Sequence, residues 1–120
     1  MKRIAVLTIA FAIIGVSVRA ETAQTADQGK KLISAKKCDT CHTIDGKGGT
    51  LTKQYPLDGV GAKLSAADIK KWLVATAEME AKLEKAPKIK MSSKKVPLTD
   101  TEVSSLVAYL ETLKEPLKTK

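Results

Sequence analysis

Aromatic side chains are scarce in this chain, since Phe, Tyr and Trp make up only 3% of its 120 residues. The length suits one domain and excludes two. With 43% hydrophobic and 28% charged residues, a fully disordered chain or a coiled-coil rod is also excluded. So few large side chains predict a thin core that another component helps to fill. The four aromatic residues are Phe11, Tyr55, Trp72 and Tyr109.

Arginine and alternating segments are missing as well once the first 20 residues are set aside. Without segments that alternate apolar and polar residues, no strand is predicted, and the fold class is all-α. The formal charge of +8 favours an acidic partner, a membrane face or nucleic acid. Nucleic acid is disfavoured, because arginine is missing and the few aromatics do not interleave with a basic stripe.

The N-terminal segment 1–20 predicts a secretory signal peptide. A basic start at 1–3 precedes an apolar run over Ile4–Val18, and small residues stand before a cleavage point after Ala20. An uncleaved anchor helix is the alternative, but a run of about 15 residues is shorter than the roughly 20 that span a bilayer. Secretion predicts an oxidising location, periplasmic or extracellular, with no stable membrane insertion after cleavage.

Cleavage would leave residues 21–120 as the functional domain, located outside the cytoplasm. It would have 100 residues, and loss of Lys2, Arg3 and Arg19 would lower the formal charge from +8 to +5. A domain of this size buries roughly 60 to 70% of its unfolded surface, so its stability is marginal without help.

Three helices are predicted in this domain from apolar residues at helical spacing and from start signals. The first begins at Thr25, which forms a capping box with Gln28 after a loose leader at 21–24, and it ends near Lys37. Gly29 inside this helix costs about 1 kcal/mol relative to alanine. It is therefore either merely tolerated or a point where another helix approaches closely.

The other two helices have the same kind of start signal, a hydroxyl residue followed three positions later by an acidic one. The second begins after Ser65 and ends before Pro87, and the third begins after Thr99 and ends before Pro116. The segments between the helices, 45–61 and 88–97, are predicted loops.

Cys38, Cys41 and His42 form a Cys-x-x-Cys-His motif, the attachment motif for c-type haem. Two thiols one turn apart reach the two vinyl groups of one porphyrin and form thioethers, and the next residue presents an imidazole to the iron. A thioredoxin-like dithiol needs a βαβ context. A zinc site needs four ligands, whereas this chain has no other Cys or His. The motif therefore predicts one covalent haem c, which also adds bulk to the core.

The second axial ligand of this haem iron is not histidine, because His42 is the only one in the chain. Methionine, lysine, water or no ligand are the alternatives. Met79 follows Trp72 at helical spacing, which favours an ordinary core position. Met91 lies in a predicted loop between lysines and serines, where no packing pattern requires it. Met91 is therefore the favoured ligand, with Met79 as the fallback.

The chain from Asp27 to Leu113 resembles a small class I cytochrome c, a monohaem electron carrier. The similar segments are Gly29–Ile33, Cys38–His42, Leu57–Gly61, Trp72, Lys90–Met91, Leu98–Val103 and Val107–Leu110. The resemblance implies a cytochrome c-like fold with three main helices around one covalent haem. It also implies that the first and last helices cross at Gly29 and Tyr109, and that Met91, Pro56 and Trp72 belong to the haem site.

Three departures from the family pattern are visible. Ile33 stands where an aromatic is frequent, and Ser92 follows Met91 where proline is frequent. The family's Gly-Pro-x-Leu segment corresponds to Tyr55, Pro56 and Leu57, which is one residue tighter. In the family the carbonyl of this proline accepts the second N–H of the haem histidine, and Pro56 is the match here.

Together these observations predict a secreted or periplasmic carrier of single electrons between redox proteins. It is expected to be a monomer and not an enzyme, since no general base, nucleophile or substrate pocket is evident. The alternatives are a haem subunit of a larger periplasmic oxidoreductase complex, and a haem sensor or gas-binding module with an open sixth position. Several lysines lie near the Cys-x-x-Cys-His motif and in the methionine loop, which is the predicted loop 88–97 that contains Met91. They form either a solvated face or a surface that steers an acidic partner. They are Lys36, Lys37, Lys47, Lys88, Lys90, Lys94 and Lys95.

Overall fold

The computed structural model describes residues 17–116, with side chains from residue 25 onward. Residues 1–16 of the predicted signal peptide lie outside the described residues. The helices are α1 (Ser17–Ala35), α2 (Val60–Lys63), α3 (Ala66–Val74), α4 (Thr76–Ala81) and α5 (Asp100–Thr112). The strands are β1 (His42–Ile44), β2 (Lys47–Gly48) and β3 (Tyr55–Pro56), and 3-10 helices occupy Cys38–Thr40 and Met91–Lys94. The fold is thus mainly helical with a small sheet.

Helices α1 and α5 lie against each other at the centre of the molecule. Gly29 is buried at their crossing, where an added Cβ would overlap the backbone carbonyl of Ser105 and come within 2.7 Å of the Tyr109 Cβ. Only hydrogen fits in this position, so the glycine permits the close approach of the two backbones. The predicted pairing of Gly29 with Tyr109 is confirmed.

The hydrophobic core is small and surrounds this crossing. Leu106 of α5 and Ile69 of α3 are the most deeply buried of its side chains, at 1% and 2% exposure. The buried hydrophobic residues of the described chain are Ile33, Ile69, Val103, Leu106 and Leu110. Most other apolar side chains around them are only partly covered. The thin core expected from the aromatic content is therefore present.

Helices α3 and α5 begin at the residues that the sequence indicates. The Ser65 hydroxyl accepts the backbone N–H of Asp68 at 3.2 Å. Thr99 and Glu102 form a full capping box, in which each side chain accepts the backbone N–H of the other residue. These bonds satisfy N–H groups that the first helical turn leaves free.

The predicted start of the first helix is wrong. Helix α1 already includes Ser17, so the proposed leader at 21–24 is helical and Thr25 lies within the helix rather than capping it. Alanine, glutamate and glutamine around this position favour helix, and the threonine does not interrupt them. At its other end, the helix stops before Lys37, which adopts a left-handed conformation with φ 57°.

The second predicted helix is interrupted, contrary to expectation. Ala75, with φ −130° and ψ 45°, separates α3 from α4. Next to this break the Thr76 hydroxyl donates to the Trp72 carbonyl at 2.7 Å, a local bond that competes with helical backbone bonding. Helix α4 ends at Ala81, well before Pro87.

The expectation of no strands is also wrong, although the sheet is small. Its strand order is β2-β1-β3, with β1 antiparallel to β2 and parallel to β3. Strands of two or three residues are too short to display an alternating pattern. The short helix α2 begins at Val60, so it overlaps only the last two residues of the predicted loop 45–61. No helix among residues 17–116 has the length and apolar character needed to cross a membrane.

Candidate functional site

The Cys-x-x-Cys-His motif lies on one tight turn between α1 and β1. Cys38 begins a 3-10 helix, and the N–H of Cys41 donates to the carbonyl of Cys38 at 3.2 Å. Side chains three positions apart eclipse each other in 3-10 geometry. Both thiols are free and half-buried, and their spacing of three positions on a 3-10 turn favours one side of it for both.

The environment of Cys38 keeps its thiol protonated. Burial raises the pKa of Cys38 above its ordinary value, and the negative charge of Asp39 adds to this effect. A redox dithiol or a catalytic cysteine needs a lowered thiol pKa instead. This turn therefore does not have the electrostatics of a thioredoxin-like site, and its sheet contains no βαβ unit among the described residues.

His42 is held as a neutral imidazole with one nitrogen engaged. Its Nδ1 lies 2.9 Å from the carbonyl oxygen of Tyr55, and since a carbonyl only accepts, Nδ1 carries the proton. Burial lowers the pKa of His42, although the Tyr55 carbonyl opposes this shift. The proton on Nδ1 leaves the Nε2 lone pair available to a metal, and the hydrogen bond fixes the ring's orientation.

The hydrogen bond expected from the Pro56 carbonyl is thus made by Tyr55, which corrects that prediction. The reason is the register of the parallel pair, in which His42 lies opposite Tyr55 and Thr43 lies opposite Pro56. Pro56 is exposed and occupies an edge strand, where its missing N–H is tolerated. The one-residue tightening seen in the sequence is consistent with this shift.

The methionines lie on two elements that contact each other. Met79 is on α4, and Met91 begins the 3-10 helix 91–94; both are half-buried. The two elements are joined through Glu80, whose carboxylate accepts the N–H of Ser92 at 3.0 Å and also the Ser92 hydroxyl. Both candidate sulfur ligands are thereby brought to the same part of the molecule.

Trp72 lies on α3 with its side chain half-buried. Its carbonyl accepts the Thr76 hydroxyl at the break that precedes α4. The position of α4, and with it of Met79 and Glu80, therefore depends on the end of the helix that carries Trp72.

Two residues of this region were not singled out from the sequence. Tyr55 contacts His42 through its carbonyl and through an edge-on ring contact with 6.4 Å between centroids. Glu80 reaches Ser92 across 12 positions of the chain. Tyr55 had a weak indication as one of few aromatics, beside the expected proline, whereas nothing local in the sequence links Glu80 to Ser92.

The donor groups of this turn fit a covalently attached haem. Two half-buried thiols on one turn suit addition to vinyl groups, and the adjacent imidazole has a free Nε2 with a ring held by its Nδ1 hydrogen bond. Cys38 also packs against the hydrophobic core, together with other partly buried apolar residues. These include Ile44, Leu57, Val60, Leu64, Leu73 and Leu98. The turn therefore lies next to apolar side chains, which is the environment that a porphyrin requires.

Comparison with known protein families agrees with this chemistry. A family model described as cytochrome c matches residues 26–114, which is most of the chain. Neither a search of curated proteins nor a search of solved structures returns a match. The chain belongs to the cytochrome c family. Members of this family bind haem c covalently, as a rule one per domain, and the family as a whole is associated with electron transfer.

Proposed function

We propose that this protein is a periplasmic or secreted class I cytochrome c that carries single electrons between redox proteins. The observation that supports the proposal is the hydrogen bond from His42 Nδ1 to the Tyr55 carbonyl, next to two free thiols on one turn. This arrangement fixes the orientation of the His42 imidazole, which would be one ligand of the haem iron. In the proposed fold, α1, α3 and α5 are the three main helices around one haem.

The roles that we assign to individual residues follow from this arrangement. Cys38 and Cys41 would hold the haem through thioethers, and His42 Nε2 would bind its iron. The Met91 sulfur would be the second protein ligand of the iron, with Met79 as the fallback. The haem, when bound, supplies one-electron chemistry through its iron. Trp72 and Pro56 are proposed as neighbours of the cofactor.

The protein side chains would contribute by staying in place. Tyr55 holds the His42 ring from the sheet, and Glu80 holds the chain beside Met91 from α4. Ligands that are fixed in this way change little between redox states, which keeps the reorganisation accompanying electron transfer small. We assign no general base or nucleophile, and therefore propose a carrier rather than an enzyme.

The proposed partner has an acidic docking surface. Among the seven lysines near the motif and the methionine loop, Lys36 forms a salt bridge to Glu102 with 2.9 Å between Nζ and Oε1. The other six are exposed, namely Lys37, Lys47, Lys88, Lys90, Lys94 and Lys95. Exposed charges of one sign steer an oppositely charged partner and lose this effect as salt screens them.

Stopped-flow electron transfer to an acidic redox protein tests the docking surface. We expect the second-order rate to fall as ionic strength rises. A rate that does not change with salt would contradict steering by these lysines. Replacement of Lys36 should change the rate less than replacement of Lys90, because Lys36 is already paired with Glu102.

The optical spectrum of the haem-loaded protein tests the ligand assignment and separates the alternatives. We expect a low-spin spectrum, with the weak far-red band of iron–methionine bonding in the oxidised form. Met91→Ala should abolish this band and Met79→Ala should keep it. Loss of the band in Met79→Ala alone would assign the ligand to Met79. A wild-type protein without the band would favour a sensor or gas-binding module with an open sixth position.

A further inference from the structure

The Met91 segment, residues 88–93, is hydrogen-bonded to the rest of the protein on both sides of the methionine. Two positions before Met91, the N–H of Ile89 donates to the Tyr55 hydroxyl at 3.3 Å. One position after it, the N–H of Ser92 donates to Glu80 Oε1 at 3.0 Å, and the Ser92 hydroxyl donates to Oε2. The two acceptors come from different elements, β3 and α4.

The side chains of the Met91 segment itself are mostly exposed and contribute little to its position. Lys88, Lys90 and Ser93 are exposed, whereas Ile89 and Met91 are half-buried. The backbone N–H of Met91 also stabilises the Glu80 carboxylate, and the N–H and the hydroxyl of Ser93 both donate to the Lys90 carbonyl within the segment. Internal bonds shape the turn but do not determine where it lies. Tyr55 and Glu80 are therefore the hydrogen-bonding partners that tie this segment to other elements of the described chain.

The Glu80 carboxylate is well suited to this task. Both of its oxygens are used by one residue, so the contact fixes an orientation as well as a distance. The Ser92 hydroxyl is the main reason that the pKa of Glu80 is below its ordinary value. The group is therefore ionised at neutral pH, and hydrogen bonds to an ionised acceptor are stronger than neutral ones.

Tyr55 connects the two sides of the site through one residue. Its carbonyl accepts from His42 Nδ1, and its hydroxyl accepts from the chain that leads to Met91. The phenol ring spans the distance between these contacts, and its two torsions leave it little freedom. A displacement of β3 would thus move the support of both proposed axial ligands.

We propose that Tyr55 and Glu80 are positioning residues that hold Met91 in place for iron ligation. This inference rests on the proposed role of Met91 as the sixth ligand. Neither side chain is assigned a contact with the iron. Each favours the ligated state because it restricts the methionine segment to the neighbourhood that ligation requires, and removal of either increases the freedom that ligation must overcome.

Competition by imidazole measures this effect directly. Imidazole takes the sixth position of the oxidised, haem-loaded protein only when the methionine has left, so its apparent affinity reports how firmly the methionine is held. The far-red band disappears as imidazole binds. We expect Glu80→Ala and Tyr55→Phe each to bind imidazole about tenfold more tightly than wild type, which is the order of effect that loss of hydrogen bonds of this kind produces.

Matched variants separate positioning from general damage. Glu80→Gln retains an acceptor for the Ser92 N–H, so it should restore most of the wild-type affinity. Glu78→Ala removes an exposed acidic side chain from the same helix and should leave imidazole binding unchanged. Tyr109→Phe removes a phenol hydroxyl from α5, outside the contacts of the Met91 segment, and should also leave imidazole binding unchanged. Tyr55→Phe keeps the backbone carbonyl that holds His42.

The outcomes distinguish this inference from the proposed function. If Met91→Ala retains the far-red band, Met91 is not the ligand, and the positioning roles are rejected with it. If Met91→Ala loses the band while Glu80→Ala and Tyr55→Phe bind imidazole as wild type does, the ligand assignment stands and the positioning roles are overturned. Should Tyr55→Phe fail to fold, the comparison of Glu80→Ala with Glu80→Gln and Glu78→Ala decides the matter.

Discussion

The α1–α5 crossing and the ligand region, formed by His42, Tyr55, Glu80 and residues 88–93, are held in place by different interactions. At the crossing, buried side chains such as Leu106 and Leu110 pack around Gly29, and each of them has several apolar neighbours. In the ligand region, the proposed ligand residues depend on a few hydrogen bonds that Tyr55 and Glu80 accept. Apolar packing spreads over many contacts, whereas one hydrogen bond acts on one group.

This difference separates global stability from local geometry. Loss of a buried side chain at the crossing should lower the free energy of unfolding and leave the proposed ligands in place in the molecules that remain folded. Loss of one hydrogen bond in the ligand region should displace His42 or Met91 and change the free energy of unfolding little.

Truncation of Leu106 should have the largest effect. This side chain is 1% exposed at the centre of the core, so Leu106→Ala should destabilise the haem-loaded protein by roughly 2 to 5 kcal/mol. Guanidinium unfolding followed by circular dichroism measures the loss. Leu83→Ala, at a side chain that is 43% exposed, should change stability by less than about 0.5 kcal/mol.

The same variant tests whether the two regions are independent. In buffer without denaturant, Leu106→Ala should keep the far-red band and the wild-type affinity for imidazole. A changed band in the folded variant would mean that core packing also determines ligand geometry, and the contrast between the regions would then be wrong.

Gly29→Ala should come next, and its sign is informative. Alanine is favoured over glycine inside a helix by about 1 kcal/mol, but its Cβ would overlap the Ser105 carbonyl. We expect the overlap to dominate, with a net loss of about 1 to 3 kcal/mol. The neighbouring exposed residue offers a control, since Lys30→Ala should be almost neutral in the same unfolding measurement. A more stable Gly29→Ala would show that α1 and α5 can separate at little cost.

The sequence predicted best where the determining interactions are local. Ser65 and Thr99 cap their helices through residues three positions away, so a short pattern contains all partners. The same pattern was misleading at Thr25, because the helix continues through it. A capping pattern marks where a helix is able to begin, and the residues before it decide whether it does.

The site could be predicted only in its local part for the same reason. Cys38, Cys41 and His42 are adjacent in sequence, and their motif indicates its own chemistry. Tyr55 and Glu80 act through contacts with His42 and Ser92 that cross 13 and 12 positions. Such contacts depend on strand register and on the helix break at Ala75, neither of which has a periodic pattern in the sequence.

Removal of a helix cap should have a smaller effect than either core change. Thr99→Ala deletes the side chain that accepts the Glu102 N–H, and such losses cost about 1 kcal/mol. Thr101→Ala is a matched control, because this exposed threonine lies in the same first turn of α5. Thermal or guanidinium unfolding compares the two. Equal stabilities of the two variants would contradict a role for the cap.

The smallest predicted effect concerns the polar link between α1 and α5. Lys36 Nζ lies 2.9 Å from Glu102 Oε1, with both side chains about one quarter exposed, at 24% and 25%. This contact from Lys36 is the main cause of the lowered pKa of Glu102, followed by the Thr99 N–H. A folded pKa below the unfolded value means that the stabilisation is complete above the unfolded pKa. It is then lost as pH falls through the folded pKa.

Acid titration of stability checks this sign. Between the ordinary glutamate pKa and the lower folded value, wild type should lose stability more steeply than Glu102→Gln, which has no carboxyl group to protonate. Glu84→Gln changes an exposed glutamate and should follow the wild-type curve. Because the pair is accessible to solvent, added salt should reduce the difference. Parallel curves for wild type and Glu102→Gln would mean that the crossing is held by its apolar contacts and the Gly29 approach alone.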